Sequence, residues 1–201
     1  MRLNVPFFIQ TTKVNCGPSA LKMVLDYFGK KKTIEEIESK FEMIEGKGVS
    51  TIQIATVSSL FGFKTEFYSK SLLFDEENMK LDFYKKYANN NLEESKKQIK
   101  FAIESGVKTE EKTFSLENIL KFVTKKSIPI ILLDWNVVMN KREKGYQGHF
   151  VPIVGYDSKN VYVHNQGLDN PQEYLKISKE VFDESRKEKG TDEDFLIIYK
   201  K

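Results

Sequence analysis

Residues 10–21 read QTTKVNCGPSAL, and Cys16 within them is the only cysteine in the chain. Ala20, Leu21, Val24, Leu25, Tyr27 and Phe28 then recur with helical spacing, Pro18 suits a first turn and Gly29 a stop, so the spacing predicts a helix that opens at the cysteine. One cysteine cannot close an internal disulfide, and it excludes four-cysteine zinc sites. Read alone, Cys16 is a small buried hydrophobe. At a helix entrance, however, the partial positive charge of the N-terminus favours the thiolate, and a neighbouring imidazolium would lower its pKa further. Only His149 and His164 can supply an imidazole.

Outward from this stretch, "TIEE" (Thr33, Glu36) and "STIQ" (Ser50, Gln53) are capping-box signals for a second and a third helix, the third ending near Gly62. "FKTEFYS" alternates like a strand. Residues 70–91 carry aromatic and charged residues with no clear cap and read as an insertion. Helices are expected again over Leu92–Ser105, stopped by Gly106, and from Leu116 to about Lys126. "IPIILLDW", "GHFVPIVGYD", "NVYVHN" and "DFLIIYK" are β-branched or aromatic runs bounded by turn residues; "DSKN" makes Phe150–Asn165 a hairpin, and "SKEVFDESRKE" adds a late helix with a solvated face. Helices first and a mostly antiparallel sheet afterwards is the α+β pattern. Residues 1–201 are expected to form a single domain with the insertion around 70–91.

The 201 residues carry 32 basic and 29 acidic side chains, a net charge of +3 that is a small difference between mixed populations and no sign of nucleic-acid binding. "MRLNVPFFIQ" lacks the apolar run of a secretory signal, and "IPIILL" is too short to cross a bilayer, so a cytoplasmic protein with no membrane partner is expected. No glycine-rich phosphate cradle or close His/Cys ligand pair is present, so no cofactor and no metal are expected. Oligomeric state stays open.

Gln10, six residues before Cys16, can bring its side-chain amide beside the sulfur and join the Cys16 backbone N–H as an oxyanion hole. His149 opens a strand directly after Gly148, which would let a substrate or another backbone approach. Asn165 ends the following strand, where the hairpin can return its amide to the His149 ring. His164 neighbours Asn165 and therefore points to the opposite face of the strand, away from any site that Asn165 faces. Trp135 reads either as a cleft wall or as core, and Asp134 as a strand-end polar residue.

"Q-TTKVN-CGPSALKMVLDYFG", "GVSTIQIATVSSLFGF" and "GHFVPIVGYDSKNVYVHN" resemble the papain-like bacteriocin-processing (double-glycine leader) peptidase family and its free-standing relatives. The resemblance covers Val5–Phe67 and 148–165 and is faint between them. It implies a papain-like fold and the site residues Gln10, Cys16, His149 and Asn165, with Asn165 where that family most often carries Asp. Asn accepts the ring N–H but adds no negative charge. The family's best-known members are fused to membrane-spanning exporters, so a leader peptide is not implied as the substrate. The expected activity is hydrolysis of peptide or isopeptide bonds in a peptide or protein substrate through an acyl-enzyme. The alternatives are an acyltransferase or transpeptidase using the same triad and a non-catalytic peptide-binding module.

Overall fold

The computed structural model describes residues 1–88 and 91–200. Helix α1 (Cys16–Tyr27) begins at the cysteine, as its spacing predicts, and buries Leu21, Val24 and Leu25. Helix α2 (Ile34–Glu38) carries the Thr33/Glu36 capping box, with both reciprocal hydrogen bonds formed. Helix α3 (Thr51–Leu60) is held at its start by Gln53, whose Oε1 accepts from the Ser50 N–H at 2.8 Å.

Strand β1 (Lys64–Ser69) follows, and within 70–91 the chain forms a 3₁₀ turn at Glu76–Lys80 and helix α4 (Asp82–Tyr87); residues 89 and 90 of that stretch lie outside the described residues. Helix α5 (Leu92–Glu104) leads to β2 (Lys108–Glu111) and α6 (Leu116–Leu120). Strand β3 (Ser127–Asp134), helix α7 (Trp135–Val138), strands β4 (Gly148–Tyr156), β5 (Asn160–Asn165) and β6 (Gln172–Ser178), helix α8 (Lys179–Ser185) and β7 (Phe195–Tyr199) complete the order.

Among the described residues the strands form one sheet in the order β2-β1-β7-β3-β4-β5-β6, parallel only at the β1–β2 pair. The last strand inserts between β1 and β3, which is why "FLIIY" and "SIPIILLD" are unbroken apolar runs. Every residue of β3 is buried; because its side chains alternate between faces, both faces of the sheet centre are covered. Helix α1 packs on β4 from one side of the cleft, and α3 packs on β1 and β7. This α+β architecture agrees with the sequence expectation.

Two expectations need correction. The helix expected to reach Lys126 stops at Leu120, because Ser127 Oγ donates to the Phe122 carbonyl at 2.6 Å and pairs with Thr124 Oγ1 at 2.8 Å, offering the chain a turn in place of another helical one. Strands β2 and β6 had no counterpart in the reading. They are the two sheet edges, and their sequences KTEE and QEYLKIS lack the apolar alternation that marks half-buried strands.

Candidate active site

Asn15 precedes α1 without capping it: its side-chain oxygen accepts from the Thr12 N–H at 3.0 Å, and its amide donates to Thr11 Oγ1 and Glu38 Oε1. The first N–H groups of the helix are thereby left to the sulfur. Backbone N–H groups of Phe150, Gly17 and Cys16 itself favour the thiolate, but burial is the larger effect and pushes the Cys16 thiol up. The N–H groups at the helix entrance act in the expected direction, but desolvation of a charged sulfur outweighs them. The contact with Phe150 joins α1 to β4 beside His149.

On β4, His149 Nε2 lies 3.1 Å from Asn165 Oδ1. The Gly167 backbone N–H, which can only donate, also reaches Asn165 Oδ1 at 3.1 Å, and Asn165 Nδ2 donates to the Asn170 carbonyl. The amide orientation is therefore fixed with its oxygen toward the ring. Since that oxygen can only accept, Nε2 carries the proton and Nδ1 keeps its lone pair. A Cβ at Gly167 would stand 3.1 Å from Asn165 Oδ1 and 3.8 Å from the His149 ring, so a side chain there would crowd the pair. His149 is 8% exposed and Asn165 2%. Burial holds the His149 pKa down to about 4, against the hydrogen bond to Asn165, which raises it. Burial thus disfavours the charged form of both the thiol and the imidazole. Among the described residues no hydrogen bond joins the ring to the sulfur, although both line one cavity of about 600 Å³.

Gln10 lines the same cavity, its backbone N–H bonded to the Gln166 carbonyl at 3.0 Å. Its Nε2 donates to the Thr12 carbonyl at 2.7 Å, leaving one amide hydrogen, and its Oε1 is enclosed without a partner. Trp135 sets its ring edge-on to His149, centroids 4.6 Å apart, which supports the cleft-wall reading. Gly148 is not open to a substrate: a Cβ there would meet the Tyr146 hydroxyl at 2.9 Å and the Phe83 ring at 3.0 Å, so aromatic residues from α4 and the preceding loop fill the space. Asp134 behaves as a strand-end residue, accepting from the Asn136 and Gln147 N–H groups at 3.0 Å each.

His164 is fully buried away from the cavity. Its Nδ1 accepts from the Tyr174 N–H at 3.2 Å, and its Nε2 donates to the Val5 carbonyl at 2.9 Å.

Sequence reasoning missed Gln166. Fully buried, it donates from Nε2 to the Cys16 carbonyl at 2.9 Å and to the Phe150 carbonyl, tying the cysteine helix to the histidine strand. Its position directly after Asn165 was the only available signal. Among the described residues, no group of three or more His, Cys, Asp or Glu side chains gathers in metal-binding geometry, and no helix is long and apolar enough to cross a membrane.

A cysteine at a helix N-terminus, facing a strand that carries histidine with an asparagine on the next strand, defines a papain-like peptidase fold. The fold is shared with a double-glycine motif protease from an AMS/PCAT transporter solved in complex with its leader peptide, at TM-score 0.55 and 19% identity over 100% of this chain and 94% of that one. A C39-like peptidase from Bacillus anthracis matches at TM-score 0.63 and 14% identity, covering 100% and 98% of the two chains. The peptidase domain of Streptococcus ComA, a bifunctional ABC transporter of a quorum-sensing pathway, matches at 0.54 and 13%, covering 98% and 100%.

The chain itself belongs to the family described as guanylylate cyclase, whose model matches residues 5–198. Guanylyl cyclase 1 of Arabidopsis thaliana is 23% identical over 210 residues, 98% of this chain and 76% of that protein. The resemblance to the bacteriocin-processing peptidases read from the motifs therefore holds at the level of fold, while the family carries a name that the motifs did not suggest.

Proposed function

We propose that the protein is a cysteine peptidase that cleaves a peptide or isopeptide bond through an acyl-enzyme, with the stretch around 70–91 as an insertion in a single papain-like domain. The observation that carries this reading is the 3.1 Å contact between His149 Nε2 and an Asn165 oxygen that also accepts from the Gly167 N–H, which favours the Nε2–H tautomer and leaves Nδ1 as the base in the cavity that also holds Cys16. Because burial disfavours a separated ion pair, the proton moves as the bond forms. Cys16 Sγ attacks the carbonyl carbon while its proton passes to His149 Nδ1, and the ring becomes an imidazolium steadied by Asn165. The Cys16 N–H and the remaining hydrogen of Gln10 Nε2 meet the oxyanion. Collapse breaks the carbon–nitrogen bond, and His149 returns its proton to the leaving amine. Water then hydrolyses the thioester with His149 again acting as base. An amine in place of water would give transpeptidation, which the same residues permit.

The test is alkylation of Cys16 by iodoacetamide at neutral pH, read by intact mass, together with capture of an acyl-enzyme from a peptide library. Modification that requires His149 supports the proposal; a Cys16 that stays unmodified in the folded protein overturns it. Incubation with GTP belongs beside this assay, because the family name states a different reaction. Cyclic nucleotide formation that survives Cys16→Ala would place the activity elsewhere.

A further inference from the structure

The cavity extends from Cys16 and His149 to a second group of residues that the proposed chemistry leaves unused. Asp194 stands just before β7, where its carbonyl accepts from the Leu132 N–H at 3.1 Å, while Leu132 pairs with Phe150 on its other side. Asp194 therefore lies two strand spacings, about 10 Å, from the strand that carries His149. One carboxylate oxygen, Oδ2, accepts from Thr51 Oγ1 at 2.6 Å, at the first residue of α3. The other, Oδ1, is enclosed and meets no donor in hydrogen-bond geometry, although the Ser69 hydroxyl also favours the ionised carboxylate; the Tyr146 hydroxyl, on the same cavity wall, is likewise enclosed and adjoins that of Tyr84.

Aromatic faces complete this end. The Tyr84 and Tyr146 rings stack with centroids 5.6 Å apart, and Phe83 meets Tyr146 edge-on at 5.3 Å. Asp192 also lines the cavity, its Oδ2 accepting from Asn78 Nδ2 at 2.9 Å. Neither Asp192 nor Asp194 forms an ion pair among the described residues: Lys70 acts on Asp192 only through its charge, and the cavity's lysines, Lys13, Lys141 and Lys144, are exposed.

We infer that this end of the cavity is a subsite for a basic side chain, lysine or arginine, of a peptide substrate. The inference rests on the peptidase reading for the place of the scissile bond. An apolar side chain would bring no partner to either enclosed oxygen, and an acidic one would crowd a further carboxyl group onto two that burial already disfavours as anions. A cation satisfies Asp194 Oδ1, gains from the second carboxylate and lies against aromatic faces. Burial raises the Asp194 carboxyl to about 8, against hydrogen bonds from Ser69 and Thr51 that lower it, so a cation here would favour the ionised form. At about 3.3 Å per residue of extended peptide, the subsite takes a side chain two or three positions from the bond cut.

The test uses two peptides, acetyl-Ala-Lys-Ala-Ala-amide and the same peptide with norleucine for lysine, titrated by NMR into full-length Cys16→Ala protein. The lysine peptide is expected to bind at least about tenfold more tightly, and the gap to close in the Cys16→Ala, Asp194→Asn protein. Equal binding of the two peptides, or a gap that survives Asp194→Asn, overturns the inference. Should the double variant fail to fold, contacts between the lysine methylenes and the Tyr84 and Tyr146 rings in the single variant decide: their presence supports the subsite and their absence refutes it. Because the thiol is absent, the outcome is independent of Cys16 reactivity, and an unreactive Cys16 with an intact lysine preference would remove the peptidase reading alone.

Discussion

His149 and His164 sit on neighbouring strands, both buried and both held as the Nε2–H tautomer, yet their surroundings give them opposite uses. At His164 both nitrogens are spent: Nδ1 takes the Tyr174 N–H and Nε2 holds the Val5 carbonyl, pinning the N-terminal segment to β5. At His149 only Nε2 is engaged, by an amide whose own orientation is locked by Gly167 and Asn170, and Nδ1 remains available in the cavity. Burial alone therefore does not distinguish a base from a strut. The number of nitrogens already satisfied does.

Substitution separates the two. His149→Ala is expected to lower turnover by about 10³-fold or more with the fold retained, measured by peptide cleavage beside circular dichroism. His164→Ala is expected to do the reverse, costing about 2–4 kcal/mol of stability in denaturant titration because it opens a cavity and strands two buried backbone groups. The folded fraction should keep Cys16 reactive. If His164→Ala silences the thiol in folded protein, the division of labour is wrong.

Gln10→Ala sharpens the picture on the cysteine side, with an expected loss of about 10²-fold in kcat and little change in KM, as for removal of one oxyanion donor. Asn165→Ala frees the ring to rotate and to change tautomer, with an expected loss of about 10- to 100-fold. Asn165→Asp restores the acceptor and adds a charge, so it should raise the His149 pKa and move the acid limb of the pH profile upward.

The smallest effect is on stability. The His149 pKa is held down to about 4 in the folded protein against 6.5 for the ordinary group, so between those values the unfolded chain binds more protons. Its contribution is neutral above about pH 6.5 and turns destabilising as pH falls toward 4. By pH 5 the cost is about 2 kcal/mol, and the difference in denaturant stability between the wild type and His149→Gln over pH 7 to 5 should report it.

Much of this was legible in the sequence where local signals and burial agree. The α1 start at Cys16, both capping boxes, the central strands and the hairpin that returns Asn165 to His149 follow from spacing and turn residues. The strand rule also put His164 on the face away from Asn165. The edge strands were not legible because they bury little, and α6 was overestimated because side-chain bonds at Ser127 replaced helical ones. Gln166 and Asn15 escaped because a buried polar strut has no periodic signature; its meaning lies in the carbonyls and N–H groups that tertiary folding brings to it. The thiol was misjudged in one respect: helix polarity can be read from sequence, but desolvation depends on how deeply the fold closes over the sulfur.

With only two histidines in the chain, a long-range ¹H–¹⁵N spectrum of ¹⁵N-histidine-labelled protein tests the central assignment directly, recorded at neutral pH before and after alkylation of Cys16. The account predicts two neutral rings protonated at Nε2, with only the His149 Nδ1 resonance displaced once the sulfur is modified. A His149 ring protonated at Nδ1, or one whose Nδ1 resonance is unmoved by the modified sulfur, would contradict it.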